Sequence, residues 1–251
     1  MKILSGPKWA ILAFSCVTIL LVGLIVLVRL PADRRGRVMR SDPDLILADA
    51  ELRAIALPPG RQAFVDHCAS CHGNDGRGDH VLGVPDLTDN SFLYGQGSVA
   101  QIEQITLHGI RAGDTKGWDL ARMPGYAKAV PYDRERLPSL TPREIDDIVA
   151  WLRAANGHPA QPVAIARGGN LYHAKAGCWD CHGQDATGDD SIGAPSLTDR
   201  KWLVGNDSPA NLFRIVAGGL HGVSPAFARR LDPFTARAVS VYVATLHASR
   251  R

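Results

Sequence analysis

The stretch CASCH at residues 68–72 recurs as CWDCH at residues 178–182. This Cys-x-x-Cys-His spacing is that of c-type haem attachment, in which two thiols bond to the porphyrin and the adjacent imidazole reaches the iron. A zinc site or a redox Cys-x-x-Cys would use the same cysteines, but neither needs a histidine directly after each pair. The spacing therefore predicts two covalently bound haem c groups. The predicted attachment residues are Cys68, Cys71, Cys178 and Cys181, and the predicted proximal iron ligands are His72 and His182.

The sequence around the two motifs is repeated with a constant offset. Gly-Val-Pro-Asp-Leu-Thr-Asp at 83–89 returns as Gly-Ala-Pro-Ser-Leu-Thr-Asp at 193–199, and Gly109 returns as Gly219. Each pair differs by 110 in residue number, which indicates a duplicated domain. A chain of 251 residues, 45% of them hydrophobic, has room for two domains of about 100 residues and an amino-terminal remainder.

The amino-terminal remainder contains a long apolar segment. Residues 9–28 carry no charge and include thirteen Ile, Leu, Val or Phe residues, and about 20 apolar residues span a bilayer. A cleaved signal peptide is the alternative, but its apolar core is usually about 7 to 15 residues long, and residues 29–33 form a poor cleavage site. We therefore expect an uncleaved, single-pass anchor in a bacterial inner membrane.

The orientation of this anchor follows from the cofactor. The arginines that follow the apolar segment would favour a cytoplasmic location of the bulk by the positive-inside rule alone. Because c-type haem is attached outside the bacterial plasma membrane, we expect the bulk in the periplasm, with those arginines on lipid phosphates. With a net charge of +3, nothing in the sequence suggests binding to nucleic acid.

The expected fold class is all-α, with an amino-terminal transmembrane helix followed by two tandem class I cytochrome c domains. A helix that starts at Thr141 ends the first repeat, and its Trp151 corresponds to Tyr242 near the end of the second. In each repeat, a proline carbonyl, from Pro85 or Pro195, is expected to accept the second ring N–H of the proximal histidine. The expected boundaries are residues 1–30 for the anchor, 31–57 for a juxtamembrane linker, 58–157 for the first domain, 158–166 for a linker and 167–251 for the second domain.

The sixth iron ligand distinguishes the two repeats. Cytochromes c place a methionine thioether opposite the histidine, and Met123 is predicted to fill this role for the first haem, at a high potential. In the second repeat Ser224 stands where methionine is expected, and a hydroxyl is a poor ligand for ferrous haem. Either His221 binds the second iron, with His173 and His247 as weaker candidates, or that iron is five-coordinate or water-ligated, at a lower potential.

Between about residues 61 and 247 the chain resembles the membrane-anchored dihaem subunit, or subunit III, of cbb3-type cytochrome c oxidases. The motifs that carry the resemblance are GVPDLTDNSFLYG at 83–95, GAPSLTDRKWLVG at 193–205 and RMPGYAK at 122–128. The resemblance implies electron transfer from a periplasmic donor, a soluble cytochrome c or a bc1 complex, through two haems. The acceptor would be the catalytic subunit of an oxygen-reducing membrane oxidase, and this chain would not be catalytic alone.

Two departures from the family pattern leave other functions open. The family normally carries a Met-Pro-Ala-Trp type sequence where this chain has SPAF at 224–227, and residues 1–30 lack the acidic, double-tryptophan approach to the membrane. An iron without methionine could bind hydrogen peroxide, so a dihaem cytochrome c peroxidase-like enzyme is the alternative. An electron-transfer subunit of another periplasmic redox complex is a further one.

Overall fold

The computed structural model describes residues 33–128, 130–131 and 136–248. The expected anchor at residues 1–30 lies outside this part of the chain. Within it, we find no helix that combines the length and the apolar character needed to cross a membrane.

Helices make up nearly all of the regular structure in the described residues, in agreement with the predicted all-α class. Residues 33–40 are helical, a 3₁₀ turn follows at Pro43–Leu45, and two short strands pair antiparallel. The elements are α1 Ala50–His67, α2 Ala69–His72, α3 Val99–His108, β1 Val130–Pro131, β2 Arg136–Leu137, α4 Pro142–Ala155, α5 Pro162–His173, α6 Trp179–His182, α7 Pro209–Gly218 and α8 Pro233–Ala248.

The helix starts follow local sequence signals. At α4 the hydroxyl of Thr141 accepts from the amide of Glu144 at 3.3 Å, and the Glu144 carboxylate accepts from the amide of Thr141 at 2.8 Å. At α3 the same reciprocal pattern joins Ser98 and Gln101. Such capping boxes satisfy amides that have no partner within the helix, so the predicted start of α4 at Thr141 is confirmed.

Helices α1 and α8 pack against each other, although they belong to different repeats. α1 crosses α8 where Gly60 lies against the backbone of Ala238. One turn further along, the ring of Phe64 contacts that of Tyr242, with 5.3 Å between ring centroids. The last helix of the second repeat therefore completes the helix pair of the first repeat.

The other two long helices form a matching pair. α4, the last helix of the first repeat, packs against α5, the first helix of the second repeat. Gly168 lies against the backbone of Asp147, and the rings of Trp151 and Tyr172 are 4.4 Å apart. Only six residues separate the two helices, and so short a connection favours an antiparallel pair of neighbours.

The segments that connect the helices also pair across the two repeats. The backbone of Ile110 pairs with that of Ser224, and the backbone of Met123 pairs with that of Leu220. We therefore define a first unit, residues 33–110 with 224–248, and a second unit, the described residues between 123 and 220. This packing differs from the tandem expectation, because α4 lies in the second unit and α8 lies in the first.

A bidentate ion pair holds α4 to α5. The guanidinium of Arg167 donates to both carboxylate oxygens of Asp147, at 2.6 and 2.7 Å. The Asp147 side chain is only 7% exposed, and the hydrogen bonds from Arg167 hold the pKa of this carboxyl below its ordinary value. A carboxyl group with a lowered pKa stabilises the folded state while it is ionised, and this contribution is lost as the pH falls through its pKa.

Arg167→Leu is expected to lower the free energy of unfolding at pH 7 by about 2 kcal/mol, because it leaves a buried carboxylate without its charged partner. The loss should be smaller at about pH 4 than at pH 7, because the carboxyl of Asp147, buried without its partner in the variant, is protonated at a higher pH than in the unaltered protein. Urea denaturation at pH 7 and at about pH 4 measures this loss in the free energy of unfolding. Arg229→Leu, a substitution at an exposed position, is the control. A loss of equal size at both pH values would contradict this role of the ion pair.

Candidate haem-binding sites

Each Cys-x-x-Cys-His motif forms a single turn of helix, α2 or α6. The amide of His72 donates to the carbonyl of Cys68 at 2.9 Å, and the amide of His182 donates to that of Cys178 at the same distance. Residues four apart lie on the same side of a helix, so the first thiol and the imidazole of each motif lie on one face. This is the arrangement that attachment and ligation of one haem require.

A proline carbonyl lies against each of the two histidines predicted as proximal ligands, as expected. Nδ1 of His72 lies 3.2 Å from the carbonyl oxygen of Pro85, and Nδ1 of His182 lies 2.9 Å from that of Pro195. When Nδ1–H donates to the carbonyl, Nε2 keeps its lone pair for a metal. Burial lowers the pKa of both imidazoles, partly opposed by these hydrogen bonds, which favours the neutral form that binds iron.

The first cysteine of each motif lies in an apolar environment. Burial raises the pKa of Cys68 to about 11, and it raises that of Cys178 to about 11 against a hydrogen bond from Tyr126. All four motif cysteines are free thiols in the described chain. They are therefore available for covalent attachment to the haem.

The surroundings of the two motifs fit a porphyrin. Cys68 packs with a cluster of apolar side chains of the first unit, and Cys178 packs with a cluster of the second unit. Trp202 adjoins the second cluster, and its buried indole Nε1–H has no hydrogen-bond partner within the described residues. A buried donor without a partner is unusual in a folded protein, and a haem propionate is an acceptor that would satisfy it.

The apolar clusters around Cys68 and Cys178 each contain side chains from the other repeat. The cluster around Cys68 includes Phe227 of the second repeat, and the cluster around Cys178 includes Met123 and Tyr126 of the first repeat. Met123, predicted as the sixth ligand of the first haem, packs in the cluster that includes Cys178. Sequence reasoning also missed Tyr126 and Trp202, although Tyr126 follows Met123 closely and Trp202 lies within the repeated loop.

The three histidines predicted as candidate ligands of the second iron lie in different places. His221 is exposed on the segment that returns to the first unit. Both ring nitrogens of His173 lie near backbone carbonyls, of Gly169 at 2.8 Å and of Gln184 at 2.9 Å. His247 lies on α8 in the first unit, with its ring edge-on to Phe92. Met123 packs in the apolar cluster that includes Cys178.

The loops that follow the two motifs contact each other with twofold pseudosymmetry. The amide of Gly95 donates to the carbonyl of Asp190 at 3.0 Å, and the amide of Gly205 donates to that of His80 at 2.7 Å. The two donors, Gly95 and Gly205, differ by 110 in residue number, and so do the two acceptors, His80 and Asp190. The two candidate sites are therefore joined directly through their own haem-binding loops.

Comparison with known proteins shows which families this chain is similar to. A model of the cytochrome c family matches residues 58–156, and a model of subunit III of cbb3-type cytochrome c oxidases matches residues 163–243. A solved structure, the Kuenenia stuttgartiensis reducing HAO-like protein complex Kustc0457/Kustc0458, is 22% identical with a TM-score of 0.24, and the match covers 76% of this chain and 96% of that one.

Curated relatives match across both repeats. The cbb3-type cytochrome c oxidase subunit FixP of Bradyrhizobium sp. (strain ORS 278) is 35% identical over 90% of this chain and 73% of its own length. FixP of Azorhizobium caulinodans is 36% identical over 78% of this chain and 61% of its own length, and CcoP of Azospirillum sp. (strain B510) is 36% identical over 81% and 66%. With both haem-attachment motifs inside the matched region, the chain belongs to the FixP and CcoP family of cbb3-type cytochrome c oxidase subunits.

Proposed function

We propose that this protein is a membrane-anchored dihaem c-type cytochrome that passes electrons to the catalytic subunit of a cbb3-type terminal oxidase. The donor is a periplasmic carrier, either a soluble cytochrome c or a bc1 complex. Residues 1–30 anchor the chain in the inner membrane by a single span, and its bulk lies in the periplasm. The observation that carries the proposal is the pair of attachment motifs whose histidines both donate Nδ1–H to a proline carbonyl.

A c-type haem supplies one-electron redox chemistry at its iron when it is bound. In the first unit, Cys68 and Cys71 hold the group covalently, and Pro85 orients His72 toward the metal. In the second unit, Cys178 and Cys181 do the same. The residues of this chain would thus bind and orient two redox centres.

The contact between the two haem-binding loops supports transfer between the sites within one chain. The reciprocal bonds of Gly95 with Asp190 and of Gly205 with His80 leave no solvent layer between these backbone groups. Lys201 extends the same contact, with its ammonium group 2.5 Å from the hydroxyl of Ser91. A fixed contact keeps the distance between the two centres constant, which a flexible linker would not.

Expression of the full chain in a host that attaches c-type haem tests the proposal. We expect a mass equal to the polypeptide plus two haems, and one haem less in the variant Cys68→Ala/Cys71→Ala. We also expect the protein to copurify with an oxygen-reducing oxidase and to be oxidised by it. A single haem in the unaltered chain, or turnover of hydrogen peroxide by the purified protein without oxidation by the oxidase, would contradict the proposed function.

A further inference from the structure

We propose that Arg111 is a positioning residue that fixes the two haem-binding loops relative to each other and thereby controls the rate of electron transfer between the two haems. It acts through Tyr94, whose ring connects the loop of the first repeat to that of the second. The inference rests on the proposed function, because it requires a haem at each motif and transfer between them. Neither residue is an expected ligand or attachment point of a haem.

Tyr94 crosses from one haem-binding loop to the other. It is only 6% exposed, and a Cβ atom at Gly193, in the second loop, would lie 2.1 Å from Cε1 of its ring. So close an approach requires glycine at residue 193. Gly193 lies two residues before Pro195, whose carbonyl oxygen is 2.9 Å from Nδ1 of His182. The phenol of the first loop therefore packs against the segment that holds the second proximal histidine.

The guanidinium of Arg111 binds this phenol and two further segments. Nη1 donates to the hydroxyl oxygen of Tyr94 at 2.7 Å and to the carbonyl of Ala121 at 3.2 Å, and Nε donates to the carbonyl of Gly222. These three acceptors are neutral, and they come from three separate segments of the chain. A guanidinium presents its N–H donors in fixed directions within one plane, so one side chain can hold all three segments in a single geometry.

The backbone of Arg111 is held in an unfavourable conformation. Its φ is 52°, in the left-handed region that residues other than glycine rarely adopt. Its amide donates to the carbonyl of Trp118 at 2.8 Å, and the rings of Trp118 and Tyr94 are in contact, with 5.4 Å between ring centroids. Strain of this kind persists where the surrounding structure enforces it, and it is concentrated at functional positions. The strain therefore points to a requirement for the arginine side chain at this place.

The pseudosymmetric half of the contact lacks this link in the described chain. Val204 corresponds to Tyr94, and a Cβ atom at Gly83 would lie 2.8 Å from its Cγ2 atom. The close approach of the loops is therefore repeated, but valine has no group that can form a hydrogen bond. His221 corresponds to Arg111, and it is exposed and has no left-handed φ. Packing of the loops thus occurs in both halves, whereas the hydrogen-bonded link is made by Tyr94 and Arg111.

The link restrains the elements on which electron transfer depends. The rate of transfer falls steeply as the distance between two redox centres increases, so a movement of one haem-binding loop against the other changes it. Ala121 lies two residues before Met123, and Gly222 lies two residues before Ser224, so the same guanidinium also restrains the two segments in which a sixth ligand is expected. A functional geometry needs supporting groups of this kind to stay fixed. Loss of Arg111 is therefore expected to slow transfer between the haems.

Flash photoreduction of the full chain with both haems in place measures this effect. A soluble flavin semiquinone supplies one electron per chain, and absorbance follows the movement of that electron from the ferrous iron of one haem to the ferric iron of the other. We expect Arg111→Gln to slow this transfer by about tenfold. Tyr94→Phe, which keeps the ring but removes the hydroxyl, should slow it less, and the double variant should be no slower than Arg111→Gln alone. Arg214→Gln, at an exposed position of α7, is the control and should match the unaltered chain.

Arg111→Lys separates the hydrogen bonds of the guanidinium from its charge. It keeps the charge but loses the planar donors, so it should be as slow as Arg111→Gln, and recovery of the full rate would overturn the proposal. An unchanged rate in Arg111→Gln would also overturn it, and where that variant does not retain both haems, an unchanged rate in Tyr94→Phe does so. The mass of two haems and copurification with an oxidase are measured on the unaltered chain, so failure of the proposed function is distinguished from failure of this inference.

Discussion

Gly168→Val is expected to separate α4 from α5 and to lower the free energy of unfolding by about 3 kcal/mol or more. A Cβ atom at residue 168 would lie 2.0 Å from the carbonyl oxygen of Asp147 and 2.6 Å from its carbonyl carbon. These are backbone atoms of a helix, so they cannot move aside without displacing the whole helix. Gly60→Val should have the same effect on α1 and α8, because a Cβ there would lie 2.1 Å from the carbonyl oxygen of Ala238.

Chemical denaturation of the haem-loaded protein measures the free energy of unfolding of both variants. Gly218→Ala is the matched control, since Gly218 lies in α7 and a Cβ there meets no atom within 4 Å. Gly218 is the last residue of α7 and its φ lies outside the left-handed region, so alanine is tolerated there and the control should be close to neutral. If Gly168→Val and Gly60→Val behaved like this control, the close crossings of the two helix pairs would be contradicted.

Much of each site was predictable from local sequence. The Cys-x-x-Cys-His motifs form single helical turns, and the carbonyls of Pro85 and Pro195 accept from His72 and His182 as expected. These features depend on residues within fourteen positions of each other, so the chain itself limits where they can lie. The start of α4 at Thr141 was predictable for the same reason.

The exchange of the last helices was not predicted, because the repeats are similar enough for either last helix to fit either first helix. Trp151 and Tyr242 occupy equivalent positions, and both contact an aromatic ring on the first helix that they meet. The pattern of apolar residues alone is therefore compatible with both the tandem and the exchanged arrangement. The assignment of Met123 to the first haem depended on choosing the tandem one.

Charged residues distinguish the two arrangements. Arg237 of α8 forms a largely buried ion pair with Glu103 of α3. By helix register, Asp146 is the counterpart of Arg237, so a tandem arrangement would bring Asp146 toward Glu103 and place two like charges together. The exchanged arrangement pairs opposite charges, and the sequence contained this signal.

The ion pair of Asp147 and Arg167 also favours the exchanged arrangement. At the crossing of α1 with α8, the corresponding positions hold Ala238 and Pro59, which carry no charge. In a tandem arrangement Asp147 would face Pro59 and lose its guanidinium partner. Burying a carboxylate without a partner costs several kcal/mol, so the ion pair favours the exchange.

Cleavage between the two repeats is expected to leave them bound to each other. A protease site inserted after the exposed Pro159, in the connection between α4 and α5, allows the folded full chain to be cut at one place. Each fragment then contributes a helix to both units, α1 and α4 from one fragment and α5 and α8 from the other. Separation would require both helix pairs to open, which exposes both apolar cores.

Native size-exclusion chromatography of the cut protein tests the exchanged arrangement most directly, with the same sample in denaturant as proof that the cut is complete. The account predicts that the two fragments, each with one covalent haem, elute together at the position of the uncut chain and separate only in denaturant. Elution of the carboxyl-terminal fragment alone, as a compact folded domain with its haem spectrum intact, would contradict it.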